Sequence, residues 1–152
     1  MNYCDLKLYD TANGPGIRVS LFVSGCTLHC KGCFNSESWD FKAGNKFTSE
    51  VEDRIIEALK DPFINGLSVL GGDPLEEANI EAVTRLCERV KTEVPNKDIW
   101  LWTGRHYEKY KHLKLMGFLD TIVDGPFVEK YKVKTQGQYR GSTNQRVIFL
   151  RH

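Results

Sequence analysis

Residues 17–33 read IRVSLFVSGCTLHCKGC, and this stretch decides the fold. Ile17 to Val23 is rich in β-branched and aromatic residues and predicts a strand. A C-x3-C-x2-C loop follows at once, with Cys26, Cys30 and Cys33 inside eight residues. Gly25 and Gly32 let the backbone wrap tightly there. Soft thiolates select iron–sulfur clusters, zinc or Cu(I). Three of them in one loop can hold three corners of an Fe4S4 cube and leave one iron open as a Lewis acid. The competing reading is structural zinc completed by His29, Cys4 or Cys87. Closed zinc sites usually draw ligand pairs from separated positions, whereas His29 lies inside the same loop. Cys87 falls on the apolar side of a predicted helix, where a buried thiol is the default. The cluster is the favoured reading.

Downstream, strand and helix patterns alternate. Ser49 to Lys60 predicts a helix, with Ser49 and Glu52 spaced as a capping box and Val51, Ile55, Ile56 and Leu59 on one face. Leu67 to Leu70 predicts a strand ending in Gly71-Gly72-Asp73-Pro74. A second helix is expected over Glu77 to Val94 and a strand over Ile99 to Trp102, closed by Thr103-Gly104. Core packing is expected for Trp100. A third helix is expected over His106 to Met116, and strands over Leu119 to Val123 and Arg146 to Leu150. Alternating strands and helices predict a mainly parallel sheet of about five strands. That number is too small to close, so the expected α/β fold is an open, partial (β/α) barrel. The glycine-bearing and polar signals fall at the C-terminal strand ends, where active sites of such sheets gather.

The chain has 152 residues, 41% apolar and 27% charged, which predicts one domain over residues 1–152 and excludes a disordered chain. Apolar runs are far shorter than the ~20 residues that cross a bilayer, and Met1 to Leu8 lacks a signal-peptide core. A cytoplasmic protein without membrane contact is expected. The net charge of +1 is uneven. Residues 127–152 carry six basic side chains, Lys130, Lys132, Lys134, Arg140, Arg146 and Arg151, against Glu129 alone. This basic tail is either a solvated face or a docking surface for a partner. No nucleic-acid motif accompanies it, so no nucleic-acid partner is expected.

The cysteine loop after the first strand of an α/β chain resembles the radical S-adenosylmethionine (SAM) superfamily. Asn13-Gly14-Pro15-Gly16-x-Arg18 and Phe22-x-x-Gly25-Cys26 resemble the opening of the glycyl-radical-enzyme activases. Gly71-Gly72-Asp73-Pro74 is similar to the superfamily's Gly-Gly-Glu-Pro, with Asp73 one methylene shorter. Trp102-Thr103-Gly104, Asp124-Gly125-x-Phe127 and Arg140-Gly141-Ser142-x-Asn144-Gln145 resemble blocks of the subfamily that serves the anaerobic (class III) ribonucleoside-triphosphate reductase. The resemblance covers nearly the whole chain, and the cysteine triplet is its most specific part.

The resemblance implies a 4Fe-4S cluster on Cys26, Cys30 and Cys33, with SAM chelating the open iron. Gly71 and Gly72 would expose backbone oxygens to SAM, and Asp73 would accept from its ammonium. Thr103 and Asp124 would line the pocket. Many relatives carry an adenine-contacting aromatic just before the third cysteine; Gly32 holds that place here, and Phe34 is the candidate instead. Reductive cleavage would yield a 5′-deoxyadenosyl radical that takes hydrogen from a glycine Cα of the large reductase subunit. Asn13, Gly14 and Arg18 would meet the incoming glycyl loop, and Lys130, Lys132 and Lys134 would dock the partner. An external reductant such as flavodoxin is implied. Arg140, Asn144 and Gln145 match the subfamily without a physical role in the sequence. Two alternatives stand beside this. One is activation of pyruvate formate-lyase or another glycyl-radical enzyme; the other is a non-catalytic metal-binding docking module.

Overall fold

The computed structural model describes residues 1–33, 39–135 and 137–150. In chain order the elements are β1 (Asn2–Asp10), β2 (Arg18–Val23), β3 (Asn45–Lys46), α1 (Ser49–Leu59), β4 (Gly66–Gly71), α2 (Glu77–Glu93), β5 (Asp98–Trp102), β6 (Thr121–Asp124) and β7 (Arg146–Phe149). They build a mixed α/β structure on one seven-stranded sheet, ordered β3-β1-β2-β4-β5-β6-β7. The four central strands, β2, β4, β5 and β6, run parallel. β1 and β7 flank them antiparallel, and β3 adds a short antiparallel edge to β1.

The sheet is thus wider than the five strands read from the sequence. The missed strand β1 carries a period-two signal, since Leu6 and Leu8 pack on the core while Asp5, Lys7 and Tyr9 are exposed. β3 has only two residues and gives no such signal. The helix expected over His106 to Met116 is replaced by two short 3-10 turns, Tyr107–Lys109 and Lys114–Gly117. Tyr107, Tyr110, Leu113 and Met116 all pack on the core at a spacing of three, the repeat of a 3-10 turn and not of an α-helix. The α1 cap also shifts by one residue: Thr48 Oγ1 accepts from Val51 N at 3.3 Å. Glu52, the expected capping-box partner, reaches Arg89 on α2 at 3.2 Å instead.

One face of the sheet packs under α1 and α2. Val19, Leu21 and Val23 of β2, Leu67 and Val69 of β4, and Ile99 and Leu101 of β5 meet Ile55 and Leu59 of α1 and Val83, Leu86 and Val90 of α2. The alternate residues Phe22, Leu70 and Trp102 face the other side. Trp100 is buried, as expected, and it packs on that second face. Its ring lies edge-on to Tyr139 at 5.5 Å and Phe149 at 6.2 Å, with the Arg18 guanidinium 5.9 Å from its centroid.

Cys87 is fully buried in the helix-covered core, and burial pushes its thiol up to about 12. It is expected to resist a thiol-alkylating reagent at pH 8 until the protein unfolds, because the reactive thiolate forms only near its raised pKa. Cys87→Ala is expected to cost about 1 kcal/mol as a small core truncation and to leave metal content unchanged. Alkylation counted by mass spectrometry and a denaturant titration check both. Among the described residues no helix is long and apolar enough to cross a membrane.

Candidate active site

The parallel strands end together on the face away from the helices, and their C-terminal ends open into a cavity of 1080 Å³. Cys26, Cys30 and Cys33 line it together with Gly71, Gly72 and Asp73 after β4, and Thr103 and Gly104 after β5. The convergence expected from the sequence is therefore present for three strand ends. The fourth, after β6, takes a different part. Asp124 is fully buried and does not line the cavity. Its carboxylate accepts from Tyr107 N at 2.8 Å and Arg146 Nε at 2.9 Å, so it anchors β7 and the first 3-10 turn.

The cysteine loop is tied down residue by residue where it leaves β2. Asn79 Nδ2 donates to Ser24 O at 2.9 Å, Asp73 N donates to Gly25 O at 2.8 Å, and Cys26 N donates to Trp39 O at 3.1 Å. Burial pushes the Cys26 thiol up, and Asp73 and Glu76 add to this, while the backbone N–H groups of Leu28 and His29 pull it down. Cys30 and Cys33 are half-buried at the cavity wall. His29 stacks flat on Trp39, with ring centroids 4.4 Å apart.

This donor set fits an iron–sulfur cluster better than zinc. Among the described residues no group of three His, Cys, Asp or Glu side chains converges on a single metal ion. Cys4 Sγ is bonded to Ser24 Oγ at 3.0 Å and does not line the cavity, and Cys87 lies in the core. Neither supplies a fourth ligand. Three thiols along one wall of a roomy cavity suit a larger centre with an open corner.

The two glycines are steric requirements. Gly71 has φ +116, and a Cβ there would stand 2.5 Å from Val23 N and O. A Cβ on Gly72 would stand 2.5 Å from Gly25 O. The end of β4 therefore lies flat against the backbone that enters the cysteine loop. Asp73 lines the cavity, and its carboxylate is engaged inside the protein. It is fully buried and accepts from Leu75 N at 2.9 Å, Thr103 Oγ1 at 2.8 Å and Gly104 N at 3.0 Å, with Arg105 Nη1 2.9 Å away. Burial pushes its pKa up against the pull of Leu75 N–H, Arg105 and Thr103. Through these bonds and the Arg105 ion pair, Asp73 knots β4 to β5.

Three groups at this rim were missed in the sequence. Glu76 occupies the N-cap position of α2, yet its side chain does not cap the helix. Glu76 Oε1 accepts instead from Thr27 N and Thr27 Oγ1, both at 2.8 Å, and from Arg105 Nη2 at 2.7 Å. Burial raises the Glu76 pKa, but the Thr27 and Arg105 bonds outweigh it and hold the carboxyl below its ordinary range. Arg105 is driven down by burial and, more strongly, up by Glu76 and Asp73, so it stays charged. The spacing of Asp73, Glu76 and Asn79 by three was the available signal, but it reads equally well as a polar first turn of a helix.

The expected partner-facing residues separate. Asn13 lines the cavity, its Nδ2 donating to Asp10 Oδ2 at 2.6 Å. Gly14 and Arg18 are buried, which removes them from any docking surface. Arg18 Nε donates to Ser68 Oγ at 2.7 Å and Nη2 to Leu67 O at 2.9 Å, with Asp98 paired at 2.8 Å. A charge this deeply buried needs those partners, so Arg18 locks the turn before β2. Lys130, Lys132 and Lys134 are exposed. Phe34 lies outside the described residues.

The basic tail is not a separate surface. Val133, Thr135 and residues 137–141 line the cavity opposite the strand ends. Trp102 Nε1 donates to Tyr139 O at 2.7 Å, and a Cβ on Gly32 would stand 2.9 Å from Glu129 Cδ. The segment thus covers the open side of the sheet and touches the cysteine loop. Here Arg140, Asn144 and Gln145 find their role. Arg140 Nη1 donates to Thr143 O at 3.0 Å and Gln145 O at 3.1 Å. Gln145 Oε1 accepts from Gly141 N at 2.7 Å and Ser142 N at 3.0 Å, while its Nε2 donates to Gly125 O at 2.9 Å. Asn144 Nδ2 donates to Pro126 O at 2.9 Å. These side chains replace regular secondary structure as the fasteners of the cover.

A family model described as a 4Fe-4S single cluster domain matches residues 12–148. Curated relatives match over nearly the full length of both chains. A protein of Vibrio cholerae is 46% identical over 149 residues, 95% of this chain and 96% of its own. One of Enterobacteria phage T4 is 41% identical over 147 residues, 97% of this chain and 93% of its own. One of Escherichia coli is 41% identical over 155 residues, 99% of this chain and 100% of its own. Each is named an anaerobic ribonucleoside-triphosphate reductase-activating protein.

Proposed function

The chain belongs to the family of anaerobic ribonucleoside-triphosphate reductase-activating proteins, activating enzymes of the radical SAM type with a 4Fe-4S cluster domain, and from that membership we propose that it cleaves SAM reductively to place a glycyl radical on its reductase. The observation that carries this is the convergence of Cys26, Cys30, Cys33, Gly71, Gly72 and Thr103 on one cavity at the ends of parallel strands. The sheet is then a shortened, partial (β/α) barrel in which residues 126–135 and 137–145 cover the open side. Cys26, Cys30 and Cys33 hold the cluster, and the Gly71-Gly72 turn and Thr103 form the wall against which SAM is oriented. Bound there, the cluster and SAM would supply one-electron reductive chemistry for hydrogen abstraction from a glycine Cα of the reductase.

The protein's own part is placement and exclusion of water. Asp73 holds the ends of β4 and β5 at a constant separation, so the wall does not spread. Asn13, Val133, Thr135 and residues 137–141 bound the far side of the cavity, and on this reading the reductase's glycine loop enters there. Cys4 and Cys87 are engaged elsewhere, which leaves no thiol set for a second cluster. On this reading the electron comes from an external reductant such as flavodoxin.

The test is anaerobic reconstitution with iron and sulfide, followed by mixing with SAM, a reductant and the large reductase. A glycyl radical by electron paramagnetic resonance, with methionine released, is the expected result. A colourless protein that retains zinc and forms no radical would instead favour the docking module. The lysines are tested separately. Reversing Lys130, Lys132 and Lys134 to Glu is expected to slow radical formation several-fold at low salt and to flatten its salt dependence, with cluster content unchanged. Exposed charges act mainly on encounter, over a screening length of about 8 Å at physiological ionic strength. An unchanged salt dependence in the triple variant would remove these lysines from docking.

A further inference from the structure

We propose that Arg105 is a positioning residue that, through Glu76, clamps the cysteine loop at Thr27 to the ends of β4 and β5 and so sets how firmly the cluster is held. The inference rests on the cluster assignment above and deepens it. Arg105 follows β5, yet its guanidinium reaches Asp73 Oδ2 at 2.9 Å, Glu76 Oε1 at 2.7 Å and Thr27 Oγ1 at 3.2 Å. Its own N–H donates to Thr103 Oγ1 at 3.1 Å, and its carbonyl accepts from Gly125 N at 2.9 Å. One residue thereby joins the ends of four neighbouring strands.

Two features separate this from ordinary fold stabilisation. Setting two buried carboxylates around one guanidinium is electrostatically costly, and apolar packing would generally stabilise the rim as well or better. The second is where the clamp grips. Ser24, Gly25 and Cys26 are tied by Asn79, Asp73 and Trp39. Thr27 is the next residue, and both its N–H and its hydroxyl are spent on Glu76. Thr27 is otherwise exposed. Beyond it the chain runs on through Leu28 and His29 to Cys30. Releasing Thr27 would therefore leave Cys26 in place but free the loop that carries the other two thiols. The planar fork of Arg105 can face Asp73 and Glu76 at once, whereas a lysine ammonium is a point charge that serves one of them well.

The experiment compares the reconstituted wild type with Arg105→Met, Arg105→Lys, Glu76→Gln, Thr27→Val and the Arg105→Met/Glu76→Gln double variant. Its readouts are the rate at which a chelator strips iron and the electron paramagnetic resonance spectrum of the reduced cluster without SAM or reductase. Iron loss about 10–100-fold faster is expected for Arg105→Met and Glu76→Gln, the usual scale for a partner that supports metal ligands. Arg105→Lys should fall between these and the wild type, and the double variant should be no worse than the worse single one. The cluster spectrum should broaden in the fast-losing variants. Arg89→Ala, which breaks an ion-pair network between α1 and α2, controls for general destabilisation and should leave the stripping rate unchanged. Thr27→Val alters only an exposed loop residue and keeps the test decisive if Arg105→Met does not fold; it should lose iron faster too. Stripping rates and spectra equal to the wild type in Thr27→Val and Arg105→Lys would overturn the clamp alone. A wild type that assembles no cluster would overturn the proposed function, and the clamp with it.

Discussion

Replacing any one of Cys26, Cys30 or Cys33 by alanine is expected to reduce reductase activation to background, with most of the cluster iron lost. Altering groups that merely support metal ligands commonly costs 10–100-fold, so removing a ligand itself should exceed about 100-fold. The three positions should not be equivalent in how the protein fails. Cys26 is buried where the loop leaves β2, pinned by Trp39 O, so Cys26→Ala leaves a void against the strand ends. Cys30 and Cys33 are half-buried on the cavity wall, so their loss should spare the apo-protein's thermal stability. Cys4→Ala should keep both iron and activity, since its sulfur meets only Ser24 Oγ among the described polar contacts. Iron and sulfide analysis, with melting of the apo-proteins, checks the series. Substantial activation by any triplet variant would remove the cluster assignment.

Gly72→Ala is expected to cost more than its single methyl suggests. The new Cβ would stand 2.5 Å from Gly25 O and 2.8 Å from Gly25 N and C, and all three are backbone atoms. No rotamer change relieves the clash. Either the end of β4 must leave β2, or the entrance to the cysteine loop must move. Overpacking of this kind costs about 1–3 kcal/mol, or roughly 2–10 °C in melting temperature for a domain of this size. The bonds Gly72 N to Val23 O and Asp73 N to Gly25 O, both 2.8 Å, would lengthen with it. Activation should fall with stability, because the same shift displaces Cys26. Gly117→Ala is the matched comparison. Nothing lies within 4 Å of its would-be Cβ, so it should be neutral or stabilise by up to about 1 kcal/mol. A Gly72→Ala protein that melts and activates like the wild type would show that this close approach has no functional weight.

The rim geometry recasts what the motifs do. Asp73 matches a position expected to receive an ammonium group, and it already accepts three hydrogen bonds and pairs with Arg105 inside the protein. Asp124 and Arg18 likewise sit in motif positions and serve as internal anchors. The motif residues of this chain thus divide between those that face the cavity and those that keep its walls apart. The tail shows the same division, with exposed lysines outside and Val133, Tyr139 and Gly141 turned inward.

From the sequence alone came the strand–loop–cysteine opening, the alternation that makes a mainly parallel sheet, and the gathering of Cys26–Cys33, Gly71-Gly72 and Thr103 at strand ends. Those features are local: a period of two or of 3.6, a glycine turn, a thiol spacing. The tertiary structure alone decided where Asp73, Glu76, Arg105 and Arg18 point, because a long polar side chain takes the nearest partner that burial leaves it. It also turned the segment His106 to Met116 into 3-10 turns. There the core accepts a spacing of three from Tyr107 to Met116, although an isolated peptide pattern reads as a helix. Arg140, Asn144 and Gln145 were opaque for the same reason. Their partners are mostly backbone groups of a loop, up to 20 residues away in the case of Gln145 and Gly125 O, and no periodicity of the chain announces a contact that only the folded cover brings together.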